Sequence, residues 1–389
     1  MLREIAPSTI AAGLLTTFVG FASTFAVVIN GLLAVGATPA QAASGLMAVT
    51  MMAGAGSVWL SLRMRMPTAI AWSTPGAALL AASGAVEGGF PAAVGAFLVC
   101  GVLLTLAGVW RPLGRWVEQI PPALANAMLA GVLLNLCLAP AKAVAQAPLA
   151  GLLIVGAWVV VGRVNRLLAV PAAVVVAAIV IVAAVPLPPA ATPGLWPDPI
   201  LVRPVFSLAA MISIAIPLFI VTMASQNIPG MAVLAINGFR PPASRMFRAT
   251  GIMSILSAPF GGHAVNLAAI TAAICAGPDS HPDPKRRYWA AAVAGIGYLL
   301  IGLLAGAATV FIGAAPPILI EAVAGLALLG AFGSALAGAT ADPGEREPAM
   351  IAFVVAASGL SFLGIGSAFW GLIAGYALRL ISRAGKLSR

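Results

Sequence analysis

Hydrophobic segments follow one another along nearly the whole chain, and each of the long ones meets the roughly 20 residues that cross a bilayer as a helix. They fall at 9–35, 40–62, 67–84, 90–110, 119–139, 143–162, 168–186, 205–236, 242–258, 259–276, 287–313, 316–338, 348–363 and 366–383, fourteen in all. Only short gaps separate them. Of the 389 residues, 61% are hydrophobic and 8% charged, a balance foreign to water-soluble domains. Hydrocarbon cannot satisfy backbone polar groups, so such segments must be helices that bond internally. The expected fold class is an all-α polytopic membrane protein, with no soluble domain before or after the spans and a first span that is retained.

The cations test this count. With the N-terminus inside and the spans alternating, Arg3, Arg63, Arg65, Arg111, Arg115, Arg163, Arg166, Arg240, Arg245, Arg248, Lys285, Arg286, Arg287, Arg346, Arg379, Arg383, Lys386 and Arg389 fall on the inner side. Lys142 and Arg203 alone fall outside. That asymmetry is what the positive-inside rule requires. It places both termini in the cytoplasm and explains the net charge of +10 by orientation, without nucleic acid as a partner. Cys100, Cys137 and Cys275 all lie within spans and read as small apolar packers. Neither a metal nor a cofactor is expected.

Two features break the apolar pattern. Thr222-Met223-Ala224-Ser225-Gln226-Asn227-Ile228-Pro229-Gly230 places polar residues and helix breakers inside the eighth span. Such residues at membrane depth face protein, water or a ligand. The segment also repeats: Val19 to Pro39 matches Val221 to Pro241 without a gap, with Val, Ala, Ser, Leu, Gly and Pro at one offset. Seven spans per copy is an odd number, so the second copy is inverted. The expectation is a 7+7 inverted repeat with its site where the copies meet.

The third span of each copy is the second feature. Pro75 and Gly76 interrupt the first, where Ser73 or Thr74 can cap a new helix. Gly261 and Gly262 interrupt the tenth span, where a helix can start near His263. Each broken span is expected to be a short extended piece followed by a half-helix. Inversion would aim the two half-helix N-termini at one another, making an anion site. Around it, Ser73, Thr74, Gly76, Gln226, Asn227, Phe260, Gly261, Gly262, His263 and Asn266 are the candidate binding residues, with Trp72, Phe219 and Phe260 as an aromatic wall. His263 and Asn266, three apart, would share a helix face. His263 can donate to an anion or carry a proton. Glu321, in the first turns of the twelfth span, is a second proton candidate. His281 lies in an inner loop and is expected in solvent.

These motifs resemble a known family. Thr222 to Gly230, followed by Asn237-Gly238-Phe239-Arg240-Pro241-Pro242, resembles the signature of the bacterial benzoate/proton symporters. Ala258-Pro259-Phe260-Gly261-Gly262-His263-Ala264-Val265-Asn266-Leu267 resembles that family's broken span, and Ala324 to Gly330 is similar as well. The resemblance covers nearly the whole chain. It implies the fold of the nucleobase and sulfate-type transporters, with a core domain of residues 1–112 and 205–313 and a gate domain of residues 113–204 and 314–389. It implies import of benzoate or a similar aromatic carboxylate with a proton, by alternating access, across a bacterial inner membrane. Proteins of this fold class often dimerise, which makes a homodimer a candidate assembly. Nucleobase relatives carry acids in the eighth and tenth spans, where this chain has Gln226, Asn227 and His263; the departure suits an anionic substrate. Two rivals are an anion channel or exchanger on the same fold, and an intramembrane enzyme. The second lacks any H-E-x-x-H, G-x-S-x-G or paired intramembrane carboxylate.

Overall fold

The computed structural model describes residues 6–22, 24–110, 121–184, 197–362 and 365–387. Arg3, Arg111, Arg115, Arg389 and most of the Pro-rich outer loop lie outside the described residues. The chain is helical almost throughout. Helices α1 (Pro7–Ala22), α2 (Phe25–Ala34) and α3 (Pro39–Met64) lead to strand β1 (Ile70–Trp72) and helix α4 (Thr74–Ser83). There follow α5 (Gly89–Val109), α6 (Pro122–Cys137), α7 (Ala139–Gln146), α8 (Pro148–Val164) and α9 (Ala169–Ala184). The second half opens with the long rod α10 (Leu208–Ala235). It continues through α11 (Ala243–Ser257), strand β2 (Val265–Leu267), α12 (Ala269–Ala276), α13 (Tyr288–Gly302), α14 (Ala305–Ala314), α15 (Pro317–Thr340) and α16 (Arg346–Ala357). A small hairpin, β3 (Ser361–Phe362) with β4 (Ile365–Gly366), precedes α17 (Ser367–Leu387). Six helices among the described residues are long and apolar enough to cross a membrane, and shorter apolar helices accompany them.

Helix ends follow local chemistry. Thr38 and Gln41 form a reciprocal capping box at the start of α3, with Pro39 in its first turn. Arg65 ends α3 in the left-handed region, at φ 53°. Gly261 ends the α11 rod in the same way, at φ 84°, after a 3₁₀ turn at Ala258–Phe260. A Cβ is strained in that conformation, and the carbonyl of Gly261 lies directly against Gly45 of α3.

Each left-handed stop is followed by an extended piece and then a short helix. Strands β1 and β2 pair antiparallel, with Ile70 opposite Leu267, Ala71 opposite Asn266 and Trp72 opposite Val265. Helix α4 has 10 residues and α12 has 8, so at 1.5 Å per residue each is about 12 to 15 Å long. Neither can cross the roughly 30 Å hydrocarbon layer alone. The extended-piece-plus-half-helix expected for both broken spans is therefore present. The expected start of the second half-helix needs correction. The chain at His263 is not helical; β2 intervenes, and α12 begins only at Ala269. His263 and Asn266 accordingly do not share a helix face.

Around this crossing the helices pack in two sets. Helix α3 packs on α13 and α11, α5 on α11, α1 on α13, and α2 on α4. Helix α6 packs on α15, α16 and α17, α8 on α9, and α7 on α15 and α8. The sets touch where α4 meets α6 and α2 meets α15.

Candidate functional site

A cavity of about 400 Å³ opens beside the β1–β2 crossing. Ala71, Trp72, Thr74 and Pro75 bring β1 and the start of α4 to its wall; Ala268 and Thr271 bring the start of α12. Val19, Gly20 and Thr24 come from the junction of α1 and α2, and Ala224, Ser225, Gln226 and Pro229 from α10. The facing wall is Asn126 and Leu129 of α6, with Ala327, Leu328, Gly330, Ala331, Ser334 and Ala335 of α15. None of these side chains carries a charge. The polar character of the site therefore comes from hydroxyls, amides and the amino-terminal ends of two half-helices. First-turn N–H groups of a helix have no partner within it and present partial positive charge.

The two helix ends differ. At α4, Ser73 is the N-cap, and its Oγ accepts from the Gly76 N–H at 3.1 Å. At α12 the N-cap is Ala268, which has no side chain to offer. Close by, Thr271 is 5% exposed and its Oγ1 has no hydrogen-bond partner. A buried hydroxyl without a partner is costly unless something else satisfies it. Thr271 lines the cavity, so an acceptor placed there would do so.

Ser73 ties the crossing together. Its N–H donates to the Ala264 carbonyl at 2.9 Å. Its Oγ also accepts from Thr222 Oγ1 of α10 at 3.1 Å. Its carbonyl lies 3.1 Å from His263 Nε2. A carbonyl can only accept, so that ring nitrogen carries a proton; Nδ1, fully buried, makes no hydrogen bond. His263 is thus linked to the cap of α4 from behind and is absent from the cavity wall.

The polar run in α10 acts through an unusual backbone. Two π-helical segments, Met211–Ala215 and Met223–Asn227, interrupt the rod. Each is closed by an i to i−5 bond, Ile216 N–H to the Met211 carbonyl and Ile228 N–H to the Met223 carbonyl. Each is followed by an Ile-Pro pair. Proline has no N–H and crowds the carbonyl four residues earlier, so the ladder widens there. The second π segment puts Ala224, Ser225 and Gln226 on the cavity wall. Asn227 turns the other way: its Oδ1 accepts from the Leu267 N–H at 2.8 Å and braces β2.

Of the residues expected at the site, Thr74 and Gln226 line the cavity, while Ser73 and Asn227 hold its framework. Gly76 sits in the first turn of α4 with its amide on Ser73. Phe260 is half-buried outside the wall, its carbonyl bonded to Ser44 Oγ at 2.9 Å. The Gly262 N–H, expected to face an anion, donates instead to the Ser257 carbonyl at 3.0 Å. Asn266 is buried in β2. Trp72 supplies an aromatic surface and is fixed by its Nε1–H to Thr24 Oγ1 at 2.9 Å, whereas Phe219 is buried elsewhere. Glu321 is half-buried near the start of α15 and does not reach the cavity. His281 is buried rather than solvated, with Nδ1 accepting from the Asp283 N–H at 2.9 Å. Beside it, buried Arg287 donates to the Ala276 carbonyl at 2.9 Å and so caps the C-terminal end of α12. The sequence does not single out Thr271, because the Gly261-Gly262 break points to a half-helix that starts near His263.

Comparison with known proteins places this geometry in context. A family model described as benzoate membrane transport protein matches residues 3–381. The chain is 42% identical over 378 residues to the inner membrane protein YdcO of Escherichia coli (strain K12), covering 96% of this chain and 95% of that protein. It is 30% identical over 337 residues to a benzoate membrane transport protein of Acinetobacter baylyi (strain ATCC 33305 / BD413 / ADP1), covering 85% of this chain and 84% of that protein. Among solved structures, the transmembrane domain of a cyanobacterium bicarbonate transporter, BicA, superposes with a TM-score of 0.62 at 14% identity, over 97% of this chain and 98% of that one. That last likeness speaks for the fold alone.

Proposed function

Since the chain belongs to the benzoate membrane transport protein family, and is therefore a multi-pass membrane transporter rather than an enzyme, we propose that it imports benzoate or a similar aromatic carboxylate together with a proton. The observation that carries this reading is the uncharged cavity where the starts of α4 and α12 meet, with the partnerless Thr271 hydroxyl on its wall. A carboxylate fits there because helix N-termini stabilise anions and no acid on the wall repels one. Thr74, Thr271 and Gln226 are within the same cavity to orient it. Trp72, Val19, Leu129 and the alanines of α10 and α15 offer an apolar surface to the ring.

In this proposal residues 1–112 and 205–313 form a core and residues 113–204 and 314–389 a gate, built as fourteen spans in a 7+7 inverted repeat. The cavity then lies between α4, α10 and α12 of the core and α6 and α15 of the gate. Transport proceeds by alternating access, with the gate rocking against the core. Both termini are cytoplasmic, the membrane is the bacterial inner membrane, and two copies pair. His263 carries the proton. Its Nε2 bond to the Ser73 carbonyl connects it to the cap of α4, and its open Nδ1 is the place for a second proton.

A thermal-shift series on purified protein tests the substrate class. Aromatic carboxylates should raise the midpoint in proportion to the logarithm of ligand over dissociation constant. Aliphatic acids of equal charge should not. Equal shifts from acetate and benzoate would contradict the reading.

A further inference from the structure

The wall facing the half-helix ends contains a glycine that its own packing does not explain. Gly330 lies in the interior of α15, where glycine is a poor helix former compared with alanine. Two other glycines of that helix, Gly325 and Gly338, have a close neighbour. A Cβ on Gly325 would collide with the Leu136 carbonyl of α6, and one on Gly338 with the Asn126 amide. A Cβ on Gly330 would meet no heavy atom within 4 Å, and its φ is not positive. Gly330 lines the cavity, so the space a side chain would take is cavity space. Its neighbours on that wall, Ala327, Ala331 and Ser334, are small too.

We propose that Gly330 is a specificity-determining residue that sets the length of the aromatic acid the cavity accepts. This rests on the reading of the cavity as an aromatic-carboxylate site. A carboxylate at the starts of α4 and α12 directs the ring toward the opposite wall. A substituent para to the carboxylate then falls in the space above Gly330. Ortho substituents remain beside the half-helix ends and do not reach it.

The test is competition against radiolabelled benzoate on purified protein, using benzoate, 2-methylbenzoate and 4-methylbenzoate as probes. Wild type, Gly330→Ala and Gly330→Val are compared, with Gly333→Ala as control, since Gly333 also has an open Cβ position but does not line the cavity. Gly330→Ala should keep or raise the thermal midpoint, because alanine is the better helix former, which separates lost binding from lost folding. Affinity for 4-methylbenzoate should fall about tenfold or more, the discrimination that one misplaced methyl group gives, while benzoate and 2-methylbenzoate change little. Gly330→Val should extend the loss, and Gly333→Ala should match wild type. If all three acids weaken equally, or none weakens, the size role is wrong. If affinities hold while uptake slows, the glycine serves closure of the gate, which also overturns it. Absence of benzoate binding to wild type would instead sink the functional reading itself.

Discussion

Two hydroxyl residues divide the work at the crossing. Ser73 serves the protein: it caps α4 and accepts from Thr222. Replacing it by alanine should cost about 1 kcal/mol of stability from the cap alone, measurable as a lower thermal midpoint without ligand. In the proposed site Thr271 serves the ligand. Its hydroxyl has no protein partner, so Thr271→Val should leave the unliganded midpoint unchanged or higher. A hydrogen bond to a charged group contributes about 1.5 to 3 kcal/mol, so benzoate affinity should fall by at least about tenfold, read by titration calorimetry. An unchanged affinity would remove Thr271 from the site. His263 calls for a different readout. His263→Ala should bind benzoate but lose the dependence of uptake on external pH; if it still moves protons with substrate at the wild-type ratio, it is not the carrier. Ser73, Thr74 and Gln226 were legible in the sequence, because a Ser-Thr-Pro-Gly run at mid-span and a Ser-Gln-Asn triplet in an apolar rod each announce themselves. Thr271 was not. The Gly261-Gly262 break points to a second helix start near His263. Matching the two broken spans through the helix-ending residues Arg65 and Gly261 sets Ile70-Ala71-Trp72 against Asn266-Leu267-Ala268, within one residue of the strand at Val265–Leu267.

At the scale of elements, the rod α10 illustrates what polar residues in a membrane helix can mean. The helix runs through both Pro217 and Pro229. The i to i−5 bonds of the π segments keep backbone groups paired where proline removes a donor, so the rod stays continuous in an apolar setting. Periodicity cannot reveal this, because one extra residue in a turn leaves hydropathy unchanged. The second π segment sets Ser225 and Gln226 on the cavity wall, which gives it a part in the proposed binding. Pro229→Ala restores an N–H and permits a regular α-helical ladder. It should raise or hold the thermal midpoint, because proline is costly inside a helix, while benzoate affinity falls as Gln226 rotates away. A stable variant with wild-type affinity would show that the π turn has no part in binding.

For the whole molecule, membrane character and the two half-helices could be read from hydropathy and breakers. What the chain does not announce is tertiary: which helices face each other across the cavity, and that the breaks meet through an antiparallel strand pair. Asn227 bracing Leu267, and His263 behind Ser73, depend on residues 40 and 190 positions apart, so no local pattern contains them. The central claim is that one site couples an aromatic carboxylate to a proton. Purified protein in proteoliposomes tests it, with benzoate added outside and pH followed on both sides of the membrane. Benzoic acid crosses lipid unaided, so empty liposomes and the Thr271→Val variant supply the background. The account predicts a protein-dependent, saturating entry of benzoate accompanied by proton entry, weakened in Thr271→Val. Flux that rises without saturation, or benzoate entry with no protein-dependent proton movement, would contradict it.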